Sequence, residues 1–299
     1  MSIENKVFSG DTLKVGYRFQ RHWDNSMAYA FFCAELGAGL YFVSMLLGSM
    51  IGMIAGLVVV STGKPYFHLA HMGVPGKSWR AMLRPDRSWI SRGLWALAGM
   101  VAFSVLYLLC LAFGEQFGIR PDSALLWVLQ ILSGAFTLAV MVYQGFAMSH
   151  SSAIAIWSSA IMPMASLLYS LVVGVAVVRV LLPAPQAAAL TGSLELLLLG
   201  LAVMHLMLLH SGWHGSPGAR TSIELLLQTL YAKWFWGAVV AAGIVLPALL
   251  LWFAPSSAAV TVIVAVGILA GFMAWRILIF KIGVYEPIMS MNPFRSANT

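Results

Sequence analysis

The stretch from Ser26 to Met72, SMAYAFFCAELGAGLYFVSMLLGSMIGMIAGLVVVSTGKPYFHLAHM, is almost entirely apolar, and only Gly48, Ser49 and Gly52 favour a bend near its middle. A single straight helix over this run would be far longer than the roughly 30 Å hydrocarbon core of a bilayer. We therefore predict a tight hairpin of two transmembrane helices. One long tilted helix is the alternative.

The rest of the chain has the same character. Of its 299 residues, 61% are hydrophobic and only 9% are charged, and the mean hydropathy is +0.88. Because a spanning helix needs about 20 apolar residues, we predict an all-α integral membrane protein, a helical bundle with eight transmembrane helices. The long-helix alternative gives seven. The predicted spans are 26–48, 50–72, 92–113, 124–147, 160–182, 190–212, 231–254 and 257–281.

We expect a single transmembrane domain over residues 1–299, with a short N-terminal segment (1–24) and a short C-terminal tail (285–299). Residues 1–24 contain no apolar core, so no signal peptide is expected. The two cysteines, Cys33 and Cys110, lie inside apolar blocks and form no CxxC motif. No iron–sulfur cluster is therefore expected within this chain.

Positive charge is distributed unevenly between the two faces that eight spans define. The face of both termini receives fifteen Lys and Arg residues and the opposite face two, so the positive-inside rule predicts cytoplasmic termini. The larger group is Lys6, Lys14, Arg18, Arg21, Lys64, Lys77, Arg80, Arg84, Arg87, Arg92, Arg220, Lys233, Arg276, Lys281 and Arg295, and the smaller is Arg120 and Arg179. Topology alone accounts for these charges.

The segment from His68 to Gly93, HLAHMGVPGKSWRAMLRPDRSWISRG, concentrates charge and histidine in one loop. It holds five of the 17 Lys and Arg residues. All seven histidines of the chain fall toward the same face: His22, His68, His71, His150, His205, His210 and His214. Histidine suits proton exchange with a redox carrier and also ligates haem, whereas anchoring at the membrane interface is the alternative. We expect the function in this loop.

Two carboxylates lie within predicted spans. Glu35 belongs to the first span and Glu195 to the sixth. A charged side chain in hydrocarbon costs at least about 2.5 kcal/mol, so each should face the bundle interior or be protonated. Proton conduction and a structural hydrogen bond are both open, and Gly37 and Gly39 also favour close helix packing beside Glu35.

Three segments resemble the NrfD/PsrC superfamily of polysulfide-reductase-type membrane subunits, and they cover about residues 20–165. They are His22-Trp23-Asp24-Asn25 leading into Leu36-Gly37-Ala38-Gly39; His71-Met72-Gly73-Val74-Pro75 with Trp79-Arg80-Ala81-Met82-Leu83 and Ser88-Trp89-Ile90-Ser91-Arg92-Gly93; and Tyr143-Gln144-Gly145 with Trp157 and Pro163. The sequence departs from the family pattern at Ala28-Tyr29, Lys77 and Gly93, where the family has His, Arg and, in some relatives, Glu.

The resemblance implies a membrane anchor and quinone-binding subunit of a molybdopterin and iron–sulfur oxidoreductase complex. The implied partners are a four-cluster ferredoxin-like subunit, a molybdopterin catalytic subunit and membrane lipid, with no nucleic acid. The implied cofactor is menaquinone or ubiquinone, and no haem is expected. This chain would be the quinone-reactive part of the enzyme, without substrate-level catalysis of its own, in a bacterial or archaeal cytoplasmic membrane.

The resemblance also implies site residues. Asn25, His71 and Tyr143 match family positions at or near the quinone. The full predicted set comprises a quinone group (His71, Asn25, Tyr143, Tyr29, His22 and Lys77), a proton path (Glu35, Glu195 and His68) and a docking group (Arg80, Arg84, Arg87 and Arg92).

Two other functions remain open at this point. A b-type cytochrome anchor would use a bis-histidine pair from His68, His71, His150, His205 and His210. A proton- or ion-coupled transporter would use Glu35 and Glu195, although no clear internal repeat supports it.

Overall fold

A computed structural model of the protein describes residues 18–286, and helices dominate this range. In chain order they are α1 (Asn25–Leu46), α2 (Met50–His71), α3 (Trp89–Phe113), α4 (Ala124–Ser149), α5 (Ile161–Leu181), α6 (Ala184–Ala189), α7 (Thr191–Trp213), α8 (Pro217–Gln228), α9 (Ala232–Phe253) and α10 (Ala258–Lys281). All except α6 and α8 are long and apolar enough to span a membrane. The predicted all-α class and eight spans are confirmed.

The hairpin between α1 and α2 turns within three residues. Gly48 has a φ angle of +68°, a left-handed conformation that favours glycine over other residues. Ser49 then caps α2, since its Oγ accepts a hydrogen bond from the Gly52 N–H at 3.4 Å. This local geometry confirms the predicted hairpin and excludes the single long helix.

The α1 and α2 backbones touch directly at two glycines. A Cβ atom at Gly37 would lie 2.7 Å from the carbonyl oxygen of Gly56, and one at Gly56 would lie 2.6 Å from that of Gly37. On its other side, α1 approaches α5 just as closely, where Gly39 meets the Ser170 backbone. The small residues of α1 therefore place it between α2 and α5, in the middle of the bundle.

Two buried clusters form the core, and α1 contributes to both. One includes Tyr41 and Met100 from α1 and α3, and the other includes Tyr169 and Trp275 from α5 and α10. Side chains of α1 thus belong both to the cluster that includes α3 and to the cluster that includes α5 and α10.

A two-stranded antiparallel pairing joins the two ends of the described range. The strand β1 (Arg18–Phe19) pairs with β2 (Val284–Tyr285), with Arg18 opposite Tyr285. We call the side that carries these strands and the loops after α2, α4 and α7 the terminal face, and the other side the opposite face. Lys6, Lys14 and Arg295, which were assigned to the terminal face, lie outside the described residues.

A short 3₁₀ helix, Pro75–Met82, occupies the loop between α2 and α3. The loop is fixed to the start of α3 by side chains of that helix. The indole Nε1 of Trp95 donates to the Met82 carbonyl at 3.1 Å, and Arg92 donates to the Pro85 carbonyl through Nε at 2.7 Å. The basic loop is therefore a folded surface.

Candidate functional site

His71 and Asp24 meet at the terminal face, where α2 ends and α1 begins. The Nδ1 atom of His71 lies 3.2 Å from Oδ1 of Asp24, and the two side chains are 26% and 55% exposed. Because a carboxylate only accepts hydrogen bonds, Nδ1–H is the donor and Nε2 is left for another partner. Asp24 also caps α1 by accepting from the N–H groups of Ser26 and Met27.

Asp24 lies outside the membrane spans, and its surroundings keep it ionised. Burial by itself raises the pKa of Asp24, but the Met27 N–H, the neighbouring His71 and the Ser26 N–H outweigh it and lower the pKa below its usual value. Asp24 therefore remains a hydrogen-bond acceptor that orients the His71 ring.

Below His71, two more basic side chains follow the same face of α2. Lys64, His68 and His71 are spaced i, i+4 and i+7, which places them on one stripe of a helix. The Nδ1 atom of His68 is buried and has no hydrogen-bond partner among the described residues. A buried unpaired ring nitrogen is costly, which makes His68 Nδ1 a candidate position for a polar partner.

Lys64 is buried, only 3% exposed, between α1, α2 and α4. Its Nζ donates to Oε1 of Gln144 at 3.0 Å and lies 4.9 Å from the centre of the Phe31 ring and 5.2 Å from that of Tyr143. The sequence-based placement of Lys64 among the cations at the terminal face is therefore wrong. The ammonium group is enclosed because Gln144 and two aromatic rings replace water around it.

Tyr143 is buried beside Lys64, and the sequence of α3 makes room for its ring. A side chain at Gly93 would overlap the Tyr143 ring. Gly93 is one of the positions where this chain departs from the family pattern. The departure therefore has a steric reason, since a glutamate there would displace Tyr143.

Glu35 faces the bundle interior, as predicted, and pairs there with Arg276 of α10. Arg276 donates through Nη2 to Oε1 at 2.6 Å and through Nε to Oε2 at 2.8 Å, and both side chains are at most 1% exposed. Nη2 also donates to Ser166 Oγ of α5 at 3.2 Å. Arg276, like Lys64, was wrongly assigned to the terminal face as a topological charge.

The polar core continues from Arg276 to His205. The Arg276 guanidinium lies 5.9 Å from the centre of the Tyr169 ring, and the Tyr169 hydroxyl lies 3.1 Å from Nε2 of His205. His205 Nδ1 lies 2.9 Å from the Leu201 carbonyl, which can only accept, so Nδ1–H donates and Nε2 accepts from the hydroxyl. Both ring nitrogens are engaged, which argues against His205 as a haem ligand.

The remaining members of the quinone set surround the Asp24–His71 pair less closely. Asn25 is exposed at the first position of α1, and His22 and Lys77 are also exposed. Tyr29, one turn further along α1, packs edge-on against Phe67 of α2, with ring centres 5.3 Å apart. The structure thus brings Asn25 and Tyr29 to the α1–α2 seam and leaves His22 and Lys77 on the surface.

Glu195 lies elsewhere. It is half-buried near the start of α7, on the opposite face, and lines a cavity of about 490 Å³ between α7 and α9 together with Leu199 and Trp252. Among the described residues, no hydrogen bond or ion pair connects it with the Glu35 group.

The four docking arginines differ in what their side chains do. Arg80 and Arg84 are exposed, and Arg87 is exposed beside Asp86 at 3.2 Å. Arg92 instead donates to the carbonyls of Pro85 and Asp86 and stacks on Trp89, with 4.6 Å between its guanidinium carbon and the ring centre. Arg92 is therefore committed to the loop itself.

Sequence reasoning missed Asp24, Lys64, Gln144 and Arg276 as members of this site. A signal existed for two of them, because ionisable residues inside apolar spans are rare and face protein partners. Lys64 falls within the predicted span 50–72, and Arg276 falls within 257–281. Asp24 carried a weaker signal, as an N-cap residue at the start of a span.

Comparison with known proteins completes this description. The family model described as "Polysulphide reductase, NrfD" matches residues 17–286, which include all eight membrane helices and every residue of the site. No curated protein matches the chain.

Proposed function

Because the chain belongs to the NrfD polysulphide reductase family, we propose that it binds a quinone at its terminal face and passes electrons between that quinone and a docked iron–sulfur subunit. Family membership itself makes the chain a multi-pass membrane subunit of a respiratory oxidoreductase complex. The proposal adds the cofactor, the residues that hold it and the surface that meets the partner.

The observation that carries the proposal is the polar stripe of α2 beneath an oriented histidine. Asp24 accepts from Nδ1–H of His71, so Nε2 accepts from a quinol hydroxyl when the ring is neutral and donates to a quinone carbonyl when the ring is an imidazolium. His68 presents a buried ring nitrogen that no described residue satisfies. These donors lie at the seam of apolar helices, and a quinone needs such donors for its carbonyls beside an apolar surface for its tail. The residues present therefore fit a menaquinone or ubiquinone.

The protein's own groups provide proton exchange. A quinone, when bound, takes up two electrons and two protons on becoming a quinol and returns them in the reverse direction. The His71 side chain is 26% exposed and so reaches the aqueous phase, and its Nε2 can take up or release a proton. Asn25, Tyr29 and Tyr143 orient the ligand, and His22 and Lys77 border the entrance.

Ionisable side chains continue from His71 into the bundle through His68, Lys64 and Glu35. The Glu35 carboxylate and the Lys64 ammonium interact electrostatically across the α1–α2 interface. We propose this series as the proton path to the site. The prediction that Glu195 belongs to the same path stays a prediction. What supports Glu35 and His68 is that each interacts electrostatically with Lys64.

The basic loop is the proposed docking surface for a four-cluster iron–sulfur subunit, which in turn would carry a molybdopterin catalytic subunit. Arg80, Arg84 and Arg87 present charge to the solvent beside the quinone site. Exposed charges of this kind steer and orient a partner of opposite charge. A cluster of a subunit docked at this loop would lie near His71. A short distance between the cluster and the quinone favours electron transfer.

A binding measurement on the purified chain tests the quinone site without knowledge of the complex's substrate. A fluorescent quinol analogue is titrated into the wild type and into His71→Ala, with His150→Ala as the control. His150 is an exposed histidine on the same face, at the end of α4. Loss of one hydrogen bond to the ligand weakens binding by roughly tenfold.

We expect that loss in His71→Ala and wild-type affinity in His150→Ala. In the intact complex, His71→Ala should abolish quinone-linked turnover and retain the dye-linked activity of the soluble subunits. Wild-type analogue affinity together with unchanged quinone-linked turnover in His71→Ala would refute the assignment.

A further inference from the structure

The guanidinium of Arg179 is buried at the opposite face and is incompletely paired. Arg179 lies in the last turn of α5 and is 6% exposed. Its Nε donates to the Ala187 carbonyl at 3.0 Å, and its Nη2 donates to Thr191 Oγ1 at 3.1 Å. Its Nη1 is buried and has no hydrogen-bond partner among the described residues. Bonds to α6 and to the first residue of α7 therefore hold the Arg179 side chain in a fixed position.

A cavity of about 130 Å³ adjoins the Arg179 side chain. The wall is formed by the end of α5 with Arg179, by α6, and by residues at the start of α10, among them Ala188, Ser256, Ser257 and Thr261. The volume is several times the roughly 10–15 Å³ that a single water molecule requires. The cavity therefore has room for an ion of several atoms.

The N-terminus of α10 opens at the same cavity. This helix has 24 residues, and Ser257 Oγ caps it by accepting from the Val260 N–H at 3.2 Å. The first N–H groups of a helix point out of its end and, with the helix dipole, favour an anion there. Two features thus lie at one cavity, the side chain of a buried and incompletely paired arginine and the N-terminus of a long helix.

Glu195 is the competing partner for Arg179 within the chain. Its carboxylate lies within electrostatic range of the guanidinium, but no hydrogen bond joins the two side chains in the described structure. Glu195 lines the separate cavity between α7 and α9. Glu195 therefore does not satisfy the Nη1 donor of Arg179.

We propose that this cavity binds an oxyanion of the phosphate type. Such an ion matches both the arginine fork and the helix N-terminus. The cavity lies at the ends of membrane helices, where the phosphodiester groups of the lipids lie, so the source is a phospholipid headgroup or free phosphate. The site is on the opposite face and is independent of the proposed quinone site.

Native mass spectrometry and thermal unfolding of the full-length purified chain test the proposal and distinguish the two sources. In one arm, the chain is exchanged into detergent with phosphatidylglycerol, and bound lipid is counted. In the other arm, inorganic phosphate is titrated into the delipidated chain and the melting temperature is followed. Both use wild type, Arg179→Gln, Ala188→Leu and Arg120→Gln.

Ala188→Leu adds a larger side chain to the cavity wall and keeps the guanidinium, so it preserves the test if Arg179→Gln fails to fold. Arg120→Gln is the matched control, because Arg120 is an exposed arginine on the same face, paired with Asp122 at 3.1 Å. We expect about tenfold weaker anion binding in Arg179→Gln and in Ala188→Leu, and wild-type binding in the control.

Lipid retention that depends on Arg179 and the cavity identifies a phospholipid, and a phosphate-dependent rise in melting temperature with the same dependence identifies free phosphate. Equal lipid retention in all variants together with no phosphate effect overturns the proposal. A further variant, Glu195→Gln, tests the competing partner. If Glu195→Gln lowers the melting temperature as much as Arg179→Gln does and the wild type binds no anion, Arg179 pairs with Glu195 and the proposal is overturned.

Discussion

At the residue scale, the ion pair between Glu35 and Arg276 is the most constrained polar feature of the bundle. Two parallel hydrogen bonds join a carboxylate and a guanidinium that are both withdrawn from solvent. Desolvation of two charges is expensive, and only good geometry and further hydrogen bonds offset it. Ser166 provides one of these further bonds. The pair therefore both ties α1 to α10 and keeps a carboxylate inside the membrane.

Glu35→Gln should destabilise the protein strongly, since it leaves the Arg276 charge buried without its counter-charge. Loss of one partner of a buried pair costs about 3–5 kcal/mol. The double variant Glu35→Leu/Arg276→Met removes both charges and should recover most of that loss. Unfolding by denaturing detergent, followed by circular dichroism, measures the free energy of unfolding.

Asp122→Asn is the matched control for this prediction. It removes one partner of an exposed pair, whose side chains are 80% and 70% exposed, and such pairs contribute at most about 1 kcal/mol. A Glu35→Gln variant that is as stable as Asp122→Asn would show that the ion pair does not stabilise the bundle.

At the element scale, the loop between α2 and α3 divides its basic residues between two tasks. Arg92, together with Trp95, fixes the loop to α3, whereas Arg80, Arg84 and Arg87 face the solvent. A docking surface needs both a rigid frame and free charges, because a partner is recognised only if the charges keep their positions. The four arginines should therefore not behave alike when they are substituted.

The triple variant Arg80→Ala/Arg84→Ala/Arg87→Ala should weaken binding of the iron–sulfur partner by about tenfold at low ionic strength, and the difference should shrink at high ionic strength as salt screens the charges. Co-purification at several salt concentrations measures this. Lys233→Ala/Lys281→Ala removes charges from the same face away from the loop and serves as the control.

Arg92→Ala should act through the loop instead. Hydrogen exchange of residues 72–88 in the isolated chain should increase in Arg92→Ala and stay at the wild-type level in the triple variant. If the triple variant and the wild type bind the partner equally at low salt, the loop is not part of the docking surface.

At the scale of the whole molecule, the β1–β2 pairing and the eight spans place both ends of the described range on one face. The exposed cations of the described residues on that face outnumber those on the opposite face even after Lys64 and Arg276 are removed from the count, because both of these are buried. The positive-inside rule then favours a cytoplasmic terminal face. The quinone site and docking surface would lie on the cytoplasmic side of the membrane.

Reporter fusions test this orientation. A fluorescent protein fused after Thr299 should fluoresce, and alkaline phosphatase at the same position should be inactive, because the former folds in the cytoplasm and the latter outside it. Fusions after Gly118, in the loop between α3 and α4, should give the reverse pattern. A phosphatase that is active after Thr299 would invert the proposed topology.

The sequence by itself determined the all-α membrane class, and it predicted eight spans with a hairpin against a seven-span alternative. It also predicted that Glu35 faces the bundle interior or is protonated. Hydropathy, turn residues and the cost of a charge in hydrocarbon depend on single residues or short segments, so the sequence alone is enough to assess them. The tertiary structure alone decided the partners: Arg276 for Glu35, 241 residues away, Gln144 for Lys64, and Asp24 for His71. It also showed that Arg92 is bonded to carbonyls of its own loop, whereas Arg80, Arg84 and Arg87 are exposed to solvent. Such pairings depend on which helix faces meet, and packing between distant segments sets those faces rather than any local pattern.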